Sequence, residues 1–223
     1  MAAAPQTKTD RAVCEIRARI LNRQLRPGDL VRQRALAGEM QLGITPVREA
    51  LLQLASEGLV TKIPYVGVVV ADMTAELTQQ IYDVRRLLEA YATRQACLRA
   101  SAADIACLSE AQDRMAAALA AGDPQRYRQL NEDFHMAIYR CAGNAALHDI
   151  IAGQWRRFPR DTLMLMEHRM AQSLAEHRRI VAAFVQRDAD YAEALMVAHI
   201  GAAQCEVAAL VAQRAAAPGG AAA

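Results

Sequence analysis

Aromatic side chains are scarce in this 223-residue chain, at 4% of the total with a single Trp. Few runs look like strands, and alanine inflates the 53% hydrophobic content, so the composition argues against a mainly-β core and for helices. No apolar stretch approaches the ~18 residues a membrane-spanning helix needs. The first ten residues, MAAAPQTKTD, lack a basic start followed by an apolar core, so no signal peptide is expected. None of the five cysteines (Cys14, Cys97, Cys107, Cys141, Cys205) forms a CxxC pair. An odd, scattered set fits reduced thiols in a bacterial-type cytosol better than a disulfide framework, each expected to be buried filler. The formal charge of +2 is too small to declare a partner. Its distribution, +3 on residues 1–72 and −1 on the rest, leans toward a nucleic-acid-binding N-terminal part. There is no internal repeat.

The stretch from Leu36 to Val60, LAGEMQLGITPVREALLQLASEGLV, reads as two short helices joined by a turn and followed by a strand, the layout of a helix-turn-helix unit. Thr45 before Pro46 suits an N-cap, with Pro46 at the first helical position. Val47, Leu51, Leu54 and Ala55 then recur at helical spacing, Arg48, Glu49, Gln53 and Ser56 lie off that stripe, and Gly58 ends the helix. A short helix with a cation and a hydroxyl in its first turn is what a major-groove reader requires. Upstream, a helix is expected from about Asp10, as N-cap, to about Leu25, with Val13, Ile16, Ile20 and Leu21 inside. Arg26-Pro27-Gly28-Asp29 is a turn, Leu30 and Val31 are extended, and the next helix begins near Arg34. Leu59–Lys62 and Val68–Val70, joined by a Pro/Gly turn, predict a hairpin, which makes the unit a winged helix.

Beyond Thr74 the pattern is helical, with expected helices at about 74–99, 101–121, 123–142, 144–168, 170–187 and 189–213, the fourth kinked or split by Pro159. The fold class is therefore mainly α: a winged helix-turn-helix at about residues 8–71, an all-α six-helix bundle at about 74–214 and a disordered tail at about 215–223. On the first bundle helix Arg85 shares a stripe with Ile81, Leu88 and Ala92, so it faces inward. An inward guanidinium needs an anion, either a carboxylate ligand or Glu89 one turn later.

The chain resembles the GntR superfamily of transcription regulators, in its FadR-type branch with an FCD effector domain. The resemblance rests on LRPGDLV (25–31), LA (36–37), TPVREALLQLASEGLV (45–60), Pro64 and Gly67. In the second half it rests on VRRLLE (84–89), FHMAIYRCAGNAAL (134–147), EHRRIVAAF (176–184) and AHI (198–200). Six bundle helices imply the VanR-like subgroup. The resemblance implies DNA contacts by Arg34, Thr45 and Arg48, with a wing-tip contact near Gly67. Arg32 and Lys62 read equally as phosphate contacts or ordinary surface charge. Where many relatives have Ser-Arg, this chain has Gly43-Ile44, lacking a phosphate-binding hydroxyl and a base-reading Arg.

Three of the five histidines, His135, His177 and His199, fall where the family places metal ligands, and imidazole suits zinc first, with nickel or another divalent ion as alternatives. The family's fourth ligand is an Asp one turn before the first His; here it is Asn131, which offers a carbonyl oxygen without charge. Asp133 should point elsewhere, and His148 and His168 read as surface residues. The resemblance also places Arg85 in the effector pocket; Tyr82 and Trp155 read as core or pocket lining.

The expected protein is a cytoplasmic, homodimeric regulator, more a repressor than an activator, without membrane contact and not an enzyme. It would bind a pseudo-palindromic double-stranded operator and respond to a small carboxylate held by metal and Arg85. Alternatives are a metal-sensing regulator, a zinc-dependent hydrolase, and a metal-free version in which Arg85 alone holds the effector.

Overall fold

A computed structural model describes residues 7–21, 24–71, 75–157 and 167–216, and the chain divides into two compact units, one of residues 1–73 with 155–159 and one of residues 74–154 with 160–223. In the first unit come α1 (Lys8–Leu21), α2 (Gln33–Glu39), α3 (Ile44–Ser56), β1 (Val60–Ile63) and β2 (Gly67–Val70). Asp10 is not the N-cap of α1. Thr7 is, because its hydroxyl accepts from the Asp10 backbone N–H while the Asp10 carboxylate accepts from Thr7, a reciprocal box that a Thr three residues before an Asp can close. The core joins Val13 and Ile16 of α1, Leu36 and Ala37 of α2, Val47, Ala50, Leu51 and Leu54 of α3, and Leu59, Val60 and Val70. Arg17 pairs with the buried Glu57 carboxylate, tying α1 to the end of α3.

The turn of the motif is made by Gln41, whose φ of +53° follows the end of α2, with Leu42 N–H donating to Ala37 O at 2.9 Å. At the far end of α3 Gly58 takes φ +75°, and Leu59 N–H reaches back to Leu54 O at 2.9 Å. Any other residue at Gly58 would be strained by that backbone, which is why glycine ends the helix here.

Helix α3 itself starts two residues earlier than Thr45-Pro46 suggests: Gly43 is the N-cap, with extended backbone, and Thr45 lies inside the first turn. Pro46 is thereby the third helical residue. It is tolerated because the first N–H groups of a helix have no intrahelical acceptor in any case. The wing is an antiparallel pair with Val60 opposite Val70 and Ile63 opposite Gly67, and Leu30 adds a bridge to Val69.

The second unit contains α4 (Ala75–Arg99), α5 (Ala102–Ala120), α6 (Pro124–Cys141), α7 (Ala145–Arg157) as far as Gln154, α8 (Glu167–Gln186) and α9 (Ala189–Ala216). Four of these helices, α5, α6, α7 and α9, start on a readable cap. Ser101 and Asp104 form a capping box on α5, Asp123 caps α6 ahead of Pro124, Asn144 accepts from Leu147 N–H, and Asp188 accepts from Tyr191 N–H. Helix α4 packs along α9 and also against α6; α8 packs against α5 and α9. That arrangement lets α6, α8 and α9 each contribute a histidine to one interior point.

Pro159 lies outside the described residues, as does the tail from residue 217; α9 continues to Ala216, past the expected end at 213. Cysteine burial is mixed: all five are free, Cys97 is buried and Cys141 half-buried, whereas Cys14, Cys107 and Cys205 are exposed and so do not fill the core. No helix among the described residues is long and apolar enough to cross a membrane.

Candidate metal centre and DNA-reading surface

His135 on α6, His177 on α8 and His199 on α9 are all buried, and each offers one ring nitrogen so that the three lie within 4.8 Å of one another. His135 Nε2 and His177 Nε2 are 3.1 Å apart. Nitrogens bound to a four-coordinate zinc at about 2.0–2.1 Å stand ~3.3 Å from each other, so the spacing suits a shared ion. The His135 and His199 rings stack with centroids 5.1 Å apart, and His177 lies 4.7 Å from His199.

Hydrogen bonds orient two of the rings. His199 Nδ1 lies 2.6 Å from Glu176 Oε2, and an ionised carboxylate only accepts, so His199 carries its proton on Nδ1 and keeps Nε2 bare. Tyr139 OH donates to Glu89 Oε2 and lies 3.1 Å from His135 Nδ1. Having spent its proton on Glu89, the phenol accepts from His135 Nδ1–H, which again leaves Nε2 bare. Gln112 Nε2 donates to the His177 backbone carbonyl at 2.8 Å and steadies the third ligand's helix.

Charge is arranged around the cluster. Burial pushes the His177 imidazole well below its usual pKa, with His199 and the Arg169 guanidinium adding to the effect. Burial also lowers His199, although Glu176 pulls the other way. Both rings are therefore neutral, the form that ligates metal. Burial alone would raise the Glu176 carboxyl, but hydrogen bonding from His199 and the charge of Arg169 outweigh it and hold it low. Buried Arg169 grips both Glu176 oxygens at 3.1–3.2 Å. Asn131, one turn before His135, is buried, and its Oδ1 has no hydrogen-bond partner. His177 Nδ1 is likewise buried and unpartnered. Buried polar atoms are rarely left so, and an orphaned carbonyl oxygen one helical turn before a histidine of the cluster fits a cation.

Arg85 is buried, as its stripe requires, and its guanidinium holds Glu89 by Nε to Oε1 at 2.7 Å and Nη2 to Oε2 at 3.4 Å. Burial opposes its charge, but the Glu89 carboxylate more than compensates and the pKa is raised. Arg85 also lies 4.9 Å from the Tyr82 ring centroid, and Tyr82 and Trp155 are buried. Arg85, Glu89, Tyr139 and His135 thus form one continuous hydrogen-bonded chain. Asp133 is exposed and bonds Gln129, away from the cluster. His148 is half-buried rather than free on the surface, with its Nε2 enclosed; nothing is described for the His168 side chain. Sequence reasoning missed Glu176, Arg169 and Tyr139. Glu176 directly precedes a ligand and Tyr139 follows one at four residues, which is the signal that could have found these two.

On the first unit Arg34, Thr45, Arg48 and Gly67 are all exposed, as are Arg32 and Lys62. Arg48 and Thr45 share the first turns of α3, where helix N–H groups favour anions. Thr9 Oγ1 donates to Glu49 Oε2 at 2.9 Å, holding the acid next to Arg48 against α1.

Two family models match the chain: bacterial regulatory proteins of the gntR family over residues 8–70, and the FCD domain over residues 80–202. The chain belongs to the GntR family of regulators, with an FCD domain of the FadR-type branch. It is similar to the Nta operon transcriptional regulator of Aminobacter aminovorans, 29% identical over 178 residues that cover 78% of this chain and 82% of that one. The gluconate operon transcriptional repressor of Bacillus licheniformis is 36% identical over 81 residues, 36% of this chain and 33% of that one. The solved structure of E. coli McbR/YncC shares the fold, with a TM-score of 0.68 at 21% identity, covering 94% of this chain and 99% of that one. This GntR/FCD protein is a DNA-binding transcription regulator, not an enzyme, and its buried His135/His177/His199 cluster could hold a metal ion. The hydrolase alternative is overturned by that family membership, and Asp133, turned to solvent, cannot serve it as a base.

Proposed function

We propose that this regulator is a homodimeric repressor whose helical domain binds a small organic acid at a metal ion held by His135, His177, His199 and Asn131. About residues 8–71 read DNA and about residues 74–214 sense the effector. The six described helices α4–α9 support the VanR-like subgroup. The observation that carries the reading is the coincidence of three buried, clustered imidazoles with an orphaned Asn131 oxygen inside a regulator's effector domain. Bound there, a divalent ion, zinc by ligand chemistry, supplies a positive charge that a carboxylate can chelate. This chain's residues do the rest. Glu176 and Tyr139 hold two imidazoles in the ligating tautomer, and Arg85 presents a cation whose partner Glu89 a ligand carboxylate would have to displace or share.

Arg34, Thr45, Arg48 and the wing near Gly67 contact a pseudo-palindromic operator, one half-site per subunit. Repression is supported by the name of the gluconate operon relative, whose similarity spans 81 residues. A ligand changes operator affinity only if it binds one arrangement of the dimer better than another. Selection of bound duplexes from a random pool, followed by mobility shifts of metal-loaded and metal-stripped protein with and without a panel of small carboxylates, tests the reading. Release of DNA by one carboxylate only when metal is present supports it. Release by metal alone would establish the metal-sensing reading instead, and release by a carboxylate without metal would leave Arg85 as the anchor.

A further inference from the structure

The outward face of α3 is not wholly polar. Val47, Ala50, Leu51 and Leu54 turn into the core, which leaves Ile44, Thr45, Arg48, Glu49 and Leu52 outside. Two of these are large and apolar, Ile44 at 49% exposed and Leu52 at 59%. Ile44, Arg48 and Leu52 recur every four residues, so Ile44 lies one turn before Arg48 on the same ridge of the helix. Glu49, on the adjoining ridge, is already tied to Thr9 of α1.

Ile44 is not needed to start the helix. It is the first helical residue, directly after the N-cap Gly43. The apolar pair that steers a chain into a helix stands one residue before the cap and four after it. Here those positions are Leu42 and Val47, and both pack in the core. A β-branched side chain at the first helical position supplies neither a cap nor a favourable charge. In a helix-turn-helix unit, however, residues at the start of the second helix are the ones that reach base edges. Ile44 has no side-chain donor or acceptor to offer a base. The apolar group that an unmodified base pair displays in the major groove is the C5-methyl of thymine.

We propose that Ile44 is a base reader: its side chain packs on the methyl group of one thymine in each half-site, so that this chain selects T without a hydrogen bond. The inference rests on the operator reading above and adds to Arg48 a second, apolar determinant. Four residues of helix rise about 6 Å and stacked base pairs stand about 3.4 Å apart, so the thymine lies within about two base pairs of the base that Arg48 reads. Loss of one methyl contact costs the transfer free energy of about one buried CH₂ group, roughly a fourfold loss of affinity per half-site. An apolar contact releases no counterions, so that ratio stays constant as salt rises, unlike the contribution of a phosphate contact.

The experiment uses the full chain and the duplex recovered by selection from a random pool. Each thymine is replaced in turn by deoxyuridine, which removes the methyl group and keeps every hydrogen-bonding group. Fluorescence anisotropy at low and high salt reads the affinities of wild type, Ile44→Ala and Leu52→Ala, with circular dichroism as the control for folding. One uridine position per half-site is expected to weaken wild type roughly fourfold at both salt concentrations. Ile44→Ala should bind the thymine and uridine duplexes alike at that position. Leu52→Ala, altered two turns further from the start of α3, should keep the difference. A wild type indifferent to every uridine overturns Ile44 as a reader and leaves the operator reading intact. So does a sensitivity that survives Ile44→Ala, or one that Leu52→Ala removes as well. A pool that yields no preferred duplex overturns both.

Discussion

His199 Nδ1 and Glu176 Oε2 stand 2.6 Å apart, and behind Glu176 the buried Arg169 fixes both carboxylate oxygens. One imidazole is thus aligned by a carboxylate that is itself aligned by a guanidinium. Glu176→Gln replaces a pure acceptor by a group that can turn either way, and it leaves Arg169 without its anion. Partners of this kind typically contribute 10–100-fold to metal affinity. Zinc competition against a chromogenic chelator should show a loss in that range for Glu176→Gln, with nickel following the same order. An unchanged affinity would mean that His199 is not a ligand.

Asn131 supplies the converse test. Its Oδ1 is buried without a partner, one turn before His135. Asn131→Asp adds a negative charge one helical turn before a ligand of the cluster, and a cation gains more from an ionised oxygen than from an amide one. Affinity for divalent metal should rise by at least about tenfold. The same variant without metal should be less stable than wild type, because a buried carboxylate then faces no cation. Thermal melts with and without zinc read both effects, and equal melting shifts for wild type and variant would remove Asn131 from the site.

How much of this was legible before the fold was known depends on the range of the interaction. Inward Arg85 follows from the positions of Ile81, Leu88 and Ala92, because helical periodicity is local. The reading helix and its Gly58 stop follow from short-range backbone rules as well. The start of α3 did not, since Thr45-Pro46 and Gly43 offer alternative N-caps two residues apart, and the chain uses Gly43. The histidine cluster was readable only through resemblance: 42 residues separate the first two ligands in contact. Arg169 was invisible because an Arg at helical spacing usually signifies surface, and only the fold shows it gripping Glu176 of its own helix behind His199; Tyr139 stands four residues after a ligand, but only the position of α4 shows that its partner is Glu89.

Acid should act on the metal-free protein in a defined direction. Burial lowers His177 and His199 from the ordinary value of 6.5, so the unfolded chain takes up protons at a higher pH than the folded one. The stability these rings contribute is complete above about pH 6.5 and is lost as pH falls below it, toward their folded values. Bound metal excludes those protons and should carry the loss to still lower pH. Melting temperatures at pH 7.5, 6.5 and 5.5, with and without zinc, check the sign. A metal-free protein that grows more stable as pH falls from 6.5 would mean that these rings are not held neutral.

Arg48 sits on the exposed side of α3, while its neighbour Glu49 is held by Thr9 and cannot readily turn to neutralise it. Arg34 is exposed at the start of α2. An Arg that reads guanine bidentately contributes about 1–3 kcal/mol and discriminates among bases, whereas one that meets phosphate contributes evenly across sequences and steepens the salt dependence. Arg48→Ala is therefore expected to weaken the selected operator roughly 5–150-fold and to relax preference at one position per half-site. Arg34→Ala should separate the two roles. A uniform loss with a shallower salt slope marks a phosphate contact, and a loss confined to one base marks a second reader. If Arg48→Ala instead weakens operator and random duplex equally, α3 positions the domain on the backbone, and base reading falls to the wing.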